Sequence, residues 1–269
     1  MPTPTSPDQE TEHALTGGFV TKVVRVGNTV RRPAGPWTPA VHSLLNWLEA
    51  AGFSQSPRAE GIDAWGREVL TYIEGDSVGW ADWPPALRKG DGIVQLGALL
   101  RRYHDVVRDF TPPADATWRN PLAPRTGEVI RHGDFSPFNT LWRDGKVVGV
   151  IDWDFAQPGA ALSDLAYLAW SAVPLVPDTK VREHGFLESV DRAERPRQLC
   201  SGYGKHTPAE VVEEALRIVE LECTETQELA AQGLEPWLSF ASDGNLVAFA
   251  MEAAWIRDHL PLLLADPPD

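Results

Sequence analysis

Sulfur and positive charge are both scarce in this chain, and each shortage removes a class of protein. Its 269 residues contain two cysteines and two methionines. Cys200 and Cys223 fit neither a metal-ligand spacing nor a disulfide framework, which points to reduced thiols in a cytoplasmic protein. Lysine and arginine number 24 against 38 acidic residues, a net charge of −14. A phosphate backbone demands a basic face, so nucleic acid is excluded as a partner. No apolar run approaches the roughly 18 residues of a membrane span. The Pro/Thr/Ser/Glu-rich start lacks the basic-then-apolar pattern of a secretion signal, and residues 1–14 read as a flexible tail. There is no internal repeat, no low-complexity segment and no mark of an obligate protein partner.

What is present is ordinary globular composition, 43% hydrophobic, in a chain long enough for two coupled lobes. The charge is uneven. Residues 1–75 carry 6 basic and 8 acidic side chains, and the rest 18 and 30. An acidic second part suits solubility and would also attract a cationic small molecule. Residues 15–75 read as a strand-rich unit. A Gly27-Asn28 turn joins two β-branched runs, a helix from Thr38 carries the stripe Val41, Leu44, Leu45 and Leu48, and a strand spans Arg67 to Ile73. Thr38 is placed to cap that helix. Residues 76–269 read as mainly helical, with helices opening at Asp91, Pro208 and Asn245 and a loop punctuated by Pro174, Pro177 and Pro196.

The chemistry concentrates in His132-Gly133-Asp134, Asn139 and Ile151-Asp152-Trp153-Asp154. Between Asn139 and Asp152 lies a hairpin pattern, two strand-like runs around Asp144-Gly145. A hairpin brings its ends together, so Asn139 and Asp152 should face one point. An amide oxygen and a carboxylate beside a second carboxylate suit Mg²⁺, which prefers oxygen ligands and keeps places for phosphate oxygens. Asp134 is then free to accept a proton from an attacking hydroxyl. Both features belong to phosphoryl transfer.

At these residues the chain resembles the aminoglycoside phosphotransferase and choline kinase superfamily. The matching text is His132-Gly-Asp-Phe-Ser-Pro-Phe-Asn139, Ile151-Asp-Trp-Asp154 and the downstream Leu162-Ser-Asp164-Leu-Ala. The resemblance implies an α+β, two-lobed, protein-kinase-like fold with a small β-rich first lobe and a larger helical second lobe. It implies an ATP- and Mg²⁺-dependent phosphotransferase acting on a hydroxyl of an aminoglycoside-like antibiotic or an amino alcohol. Asp134 becomes the catalytic base, and Asn139 and Asp152 the metal ligands. Asp154 is a helper ligand or a turn residue. His132 braces the catalytic loop or takes part in proton transfer, and Asp164 steadies that loop from the start of a helix.

In the first lobe, Gly17-Gly18 stand where the family turns over the phosphates. Arg31 or Arg32 stands at its basic phosphate contact. Strand alternation lets only one of the two face the cleft, and the distance to Pro33 favours Arg31. Backbone groups of the connector around Tyr72 and Ile73 would receive the adenine. The chain departs from the pattern on the first-lobe helix, where Val41 and His42 occupy the place of the glutamate that normally holds the basic residue. That departure leaves a second reading open, a kinase-like binding or immunity protein that sequesters a toxic compound.

Overall fold

The computed structural model describes residues 12–15, 23–81, 83–186 and 190–265. The first part is an antiparallel sheet in the order β1-β2-β3-β5-β4. Its strands are β1 (His13–Ala14), β2 (Val24–Val26), β3 (Thr29–Pro33), β4 (Ala59–Ile62) and β5 (Arg67–Thr71). β1 corrects the expectation of a tail reaching residue 14, because His13 and Ala14 pair with Arg25 and Val24. β2 and β3 turn through Gly27-Asn28 as their β-branched residues predict. β3 pairs with β5 so that Arg32 lies opposite Glu68.

Helix α1 (Thr38–Ala50) buries the stripe Val41, Leu44, Leu45 and Leu48 completely. Thr38 is its first residue and not its cap, since its Oγ1 accepts the Gly35 amide, 2.9 Å away, from the preceding turn. Trp47 on α1 donates its indole N–H to the Val106 carbonyl, tying this part to the helical remainder.

The remainder opens with β6 (Asp76–Ser77) and α2 (Pro85–Lys89), then α3 (Gly92–Val107), whose Ile93, Leu96, Leu100 and Tyr103 are fully buried. Strands β7 (Val129–Arg131), β8 (Thr140–Arg143), β9 (Lys146–Val150) and β10 (Gln157–Gly159) follow, with a 3₁₀ turn at Trp153–Phe155. β8 and β9 form the expected hairpin, and Asp144 and Gly145 take the positive φ angles, 51° and 72°, of a tight two-residue turn. Helices α4 (Ala161–Ala172), α5 (Asp178–Glu183), α6 (Glu194–Tyr203), α7 (Pro208–Ala231), α8 (Trp237–Ser242) and α9 (Asn245–Leu263) complete the described chain.

The region read as a proline-punctuated loop therefore holds two short helices, α5 and α6. Pro196 is compatible with α6 because it sits in the first turn, where no intrahelical N–H bond is lost. Among the described residues no helix is long and apolar enough to cross a membrane. The fold is mixed α+β, a β-sheet unit joined to a larger helical part, and the Ile151–Asp154 motif sits where the two meet.

Candidate active site

The loop from His132 to Asn139 connects β7 to β8 and is held from below. Asp164, fully buried on α4, accepts the amides of His132 (2.9 Å) and Gly133 (3.1 Å) and the His104 Nε2–H (3.1 Å). α4 begins three residues before Asp164, so this carboxylate does not open its helix as expected but reaches across to the loop. Burial alone would raise the Asp164 pKa, yet the bonds and charge from His104 hold it below the usual value.

His132 is fully buried beneath the loop. Its Nδ1 accepts the Asp134 amide at 3.3 Å, and its Nε2–H donates to the Ile151 carbonyl at 3.1 Å. Burial lowers its pKa, so the ring is neutral. Both nitrogens are spent on backbone, and this arrangement makes His132 a brace between the loop and the residue that follows β9 and leaves no nitrogen for proton transfer.

Gly133 takes φ +80°, and a Cβ there would meet the Phe155 carbonyl oxygen at 2.0 Å. Gly133→Ala is therefore expected to cost about 2–3 kcal/mol from backbone strain and displacement of a backbone atom. Thermal unfolding of the variant measures this, and an unchanged midpoint contradicts it.

Asp134 is half-buried above this brace. Tyr167 of α4 donates its hydroxyl to Oδ1 at 2.8 Å, and Asn139 donates Nδ2–H to Oδ2 at 2.8 Å. Burial and the charge of Asp152 push the Asp134 carboxyl up to about 7, against the pull of the Tyr167 and Asn139 bonds. Tyr167 was missed by the sequence reading. Its position one helical turn after Asp164 was the available signal, since i and i+3 share a face.

The hairpin closes as predicted, with the Ile151 amide donating to the Asn139 carbonyl at 2.9 Å. Asp152 follows with φ 63°, a strained angle for a residue other than glycine, anchored by the buried Trp153 beside it. Asn139 spends its Nδ2 on Asp134, which leaves its Oδ1 as an acceptor. The Asp152 side chain is 46% exposed and commits Oδ1 to Arg32. No three His, Cys, Asp or Glu side chains converge as a metal cage among the described residues. One amide oxygen and one exposed carboxylate nevertheless fit Mg²⁺, which takes few protein ligands and fills its other positions with water and phosphate oxygens.

Arg32 corrects the preference for Arg31. Its guanidinium enters the cleft, with Nη1 donating to Asp152 Oδ1 at 2.9 Å, Nη2 to Asp154 Oδ1 at 2.5 Å and Nε to Glu68. Burial opposes its charge, but Asp154, Asp152 and Glu68 together raise its pKa further. Arg31, one residue away on the opposite face, donates to the Thr29 hydroxyl and faces Asp63 instead.

Asp154 is likewise corrected as a helper ligand. Its Oδ1 is taken by Arg32 and its Oδ2 by Arg119 at 2.8 Å, so both oxygens belong to guanidinium groups. Arg119, unremarked in the sequence, rises from the Pro-rich connector and stacks over Trp37 and Phe155 with centroid distances of 4.6 and 5.0 Å. Asp154 thus joins Arg32 of the sheet unit to Arg119 of the helical part.

The Tyr72 amide donates to the Asn28 carbonyl at 2.8 Å, and Ile73 follows it in the connector. Gly17 and Gly18 lie outside the described residues. On the other side of Asp134, Tyr167 packs edge-on to Trp170 (5.4 Å), and Trp170 to Phe249 (5.5 Å). Glu222 of α7 is pushed up to about 7 by burial, Glu225 and Asp134, with Arg131 opposing. The wall beside Asp134 is both aromatic and acidic.

Comparison with known proteins agrees with this geometry. The profile of the phosphotransferase enzyme family matches residues 115–196, which span the His132–Asn139 loop and the Ile151–Asp154 run. A trifolitoxin immunity protein from Rhizobium leguminosarum bv. trifolii is 39% identical over 198 residues, 72% of this chain and 74% of the relative. The chain belongs to the phosphotransferase enzyme family. Solved structures share its fold at low identity. A choline/ethanolamine kinase family protein from Mesorhizobium loti superposes with a TM-score of 0.56 at 17% identity, covering 94% of both chains. The GDP complex of aminoglycoside 2'-phosphotransferase-IIIa gives 0.60 at 16% identity, covering 92% of this chain and 94% of the other. The protein-kinase-like architecture of the family is thereby shown for this chain as well.

Proposed function

We propose that this protein is a cytoplasmic enzyme that transfers the γ-phosphoryl group of ATP, with Mg²⁺, to a hydroxyl of a small molecule. The observation that carries this reading is the setting of Asp134, aimed by Tyr167 and Asn139 and tuned to about 7. A general base works best with a pKa near the operating pH. Asp134 orients the acceptor hydroxyl and accepts its proton as the phosphoryl group moves through a loose transition state. Asn139 and Asp152 would hold the metal, which neutralises charge on the β- and γ-phosphates. Arg32 supplies the basic phosphate contact, and the backbone around Tyr72 and Ile73 the adenine contact.

The acceptor side favours a cation. Glu222, close enough to bear on Tyr167, would be drawn to its charged form by an ammonium group, to which the Tyr167–Trp170 pair offers ring faces. Aminoglycoside-like and amino-alcohol acceptors both carry one. The relatives named for these substrates support the same classes. A role in resistance to a toxic compound follows, and the relative named for trifolitoxin immunity supports it.

That relative also favours a second reading, in which the protein sequesters the toxic compound without phosphorylating it. Arg32 lying against Asp152 and Asp154 is the structural feature in its favour. A thermal-shift screen with Mg-ATP and a panel of aminoglycosides and amino alcohols separates the two. Ligand at 100 times its Kd adds about 2.7 kcal/mol, a shift of roughly 5 °C or more for a chain of this size. The enzyme reading predicts a shift with Mg-ATP and acceptor-dependent release of ADP. A compound that stabilises the protein while Mg-ATP does nothing would establish sequestration instead.

A further inference from the structure

The first-lobe helix lacks the glutamate that would hold a basic phosphate contact, yet Arg32 is not left unsupported. Glu68, 1% exposed, stands directly across the β3–β5 ladder from it. One Glu68 oxygen, Oε2, accepts the Arg32 Nε–H, and the other, Oε1, accepts the His42 Nε2–H at 3.0 Å. His42 is one of the two residues, with Val41, at the helix position where the family carries its glutamate. The acid has moved from helix to strand, and the helix now supplies a donor that fixes the acid.

We propose that Glu68, braced by His42, is the positioning residue that keeps Arg32 aligned for the nucleotide phosphates. This inference rests on the phosphotransferase reading. Its geometry divides the guanidinium into two working parts. The Nε contact lies within the sheet unit and is buried on both sides. The Nη1 contact reaches Asp152, which is 46% exposed in the cleft, and is the one open to exchange. Glu68 therefore holds the root of the guanidinium while Nη1 is free to leave Asp152 for a phosphate oxygen.

Arginine is required for this division. Its planar fork presents donors in fixed directions, so Nε, Nη1 and Nη2 serve Glu68, Asp152 and Asp154 together. A lysine ammonium is a single point on a flexible stem and has no fixed root to hold. Burial by itself would raise the Glu68 pKa, but the His42 and Arg32 contacts keep it below the usual value. The brace is therefore a charged hydrogen bond, stronger than a neutral one.

The test is titration calorimetry of the full chain with Mg-ATP and, separately, with adenosine, which lacks phosphates. Glu68→Gln keeps an acceptor for Arg32 but removes the charge. It is expected to weaken Mg-ATP binding about tenfold, the size of a lost charged contact, and to leave adenosine affinity unchanged. His42→Leu removes the brace from a half-buried helix position at similar size and is expected to weaken Mg-ATP about threefold. His42→Gln, whose side-chain amide reaches about as far as Nε2, restores it. The His42 pair keeps the inference testable should Glu68→Gln not fold. Wild-type Mg-ATP affinity in both Glu68→Gln and His42→Leu overturns the inference, as does a parallel loss of adenosine binding, which marks general damage. A wild-type protein that does not bind Mg-ATP overturns the phosphotransferase reading itself and this inference with it.

Discussion

Asp134→Ala is expected to lower turnover about a thousandfold, within the range that general-base catalysis contributes. Nucleotide affinity should change little, for a reason specific to this loop. The Asn139 amide donates both to the Asp134 side chain and to the Asp134 backbone carbonyl at 2.9 Å. The second bond survives the substitution and keeps Asn139 Oδ1, the proposed metal ligand, in place. Steady-state kinetics with a responsive acceptor, combined with Mg-ATP calorimetry, measure the two effects. Equal losses in turnover and nucleotide binding would remove Asp134 as the base.

The same variant should unfold at no lower temperature than the wild type. The raised pKa of Asp134, about 7, means that the fold disfavours its charged form. Removing the carboxylate relieves that strain at neutral pH, in the usual opposition of activity and stability. Activity in the wild type has a matching dependence. kcat/KM reports the free enzyme, and it should fall as pH drops through about 7, where Asp134 takes up its proton.

Asp164→Ala has the largest expected effect on stability, about 3–5 kcal/mol, because it strips a fully buried charge from its partners. The amides of His132 and Gly133 and the His104 ring would each lose an acceptor with no solvent to replace it. Denaturant unfolding at neutral pH measures the loss. The sign of its pH dependence follows from the lowered pKa of Asp164. A depressed carboxylate stabilises the fold above its ordinary value of 3.8 and stops doing so as pH falls through the folded value. The difference between wild type and variant should stay constant from neutral pH to about 5 and shrink below 3.8. A difference that grows on acidification would contradict the assignment.

The His132–Asn139 loop and the hairpin after it were legible in the chain because their logic is local. Asp134, Asn139 and Asp152 are separated by a short loop and one hairpin. A two-residue turn with the right residues closes that hairpin wherever it occurs. The amphipathic stripes of α1 and α3 were readable for the same reason, since helical period is a property of neighbours in sequence. Even the departure from the family pattern at Val41 and His42 was visible.

What replaced the missing helix glutamate was not. Glu68 meets Arg32 through a strand pairing 36 residues away, and Arg32 meets Asp152 and Asp154 at 120 and 122 residues. Pairing register across a sheet leaves no mark at either residue. The distance to Pro33 pointed to Arg31, while the pleat of β3 turned Arg32 inward, and only the position of β3 in the sheet decides which face is the cleft. Arg119 came from an irregular connector whose path no periodicity describes. By itself the sequence determined the family and the fold class, and it brought Asp134, Asn139 and Asp152 forward as the candidate base and metal ligands. The tertiary structure decided which arginine serves them and which acid holds it, because those contacts join segments that only folding brings together.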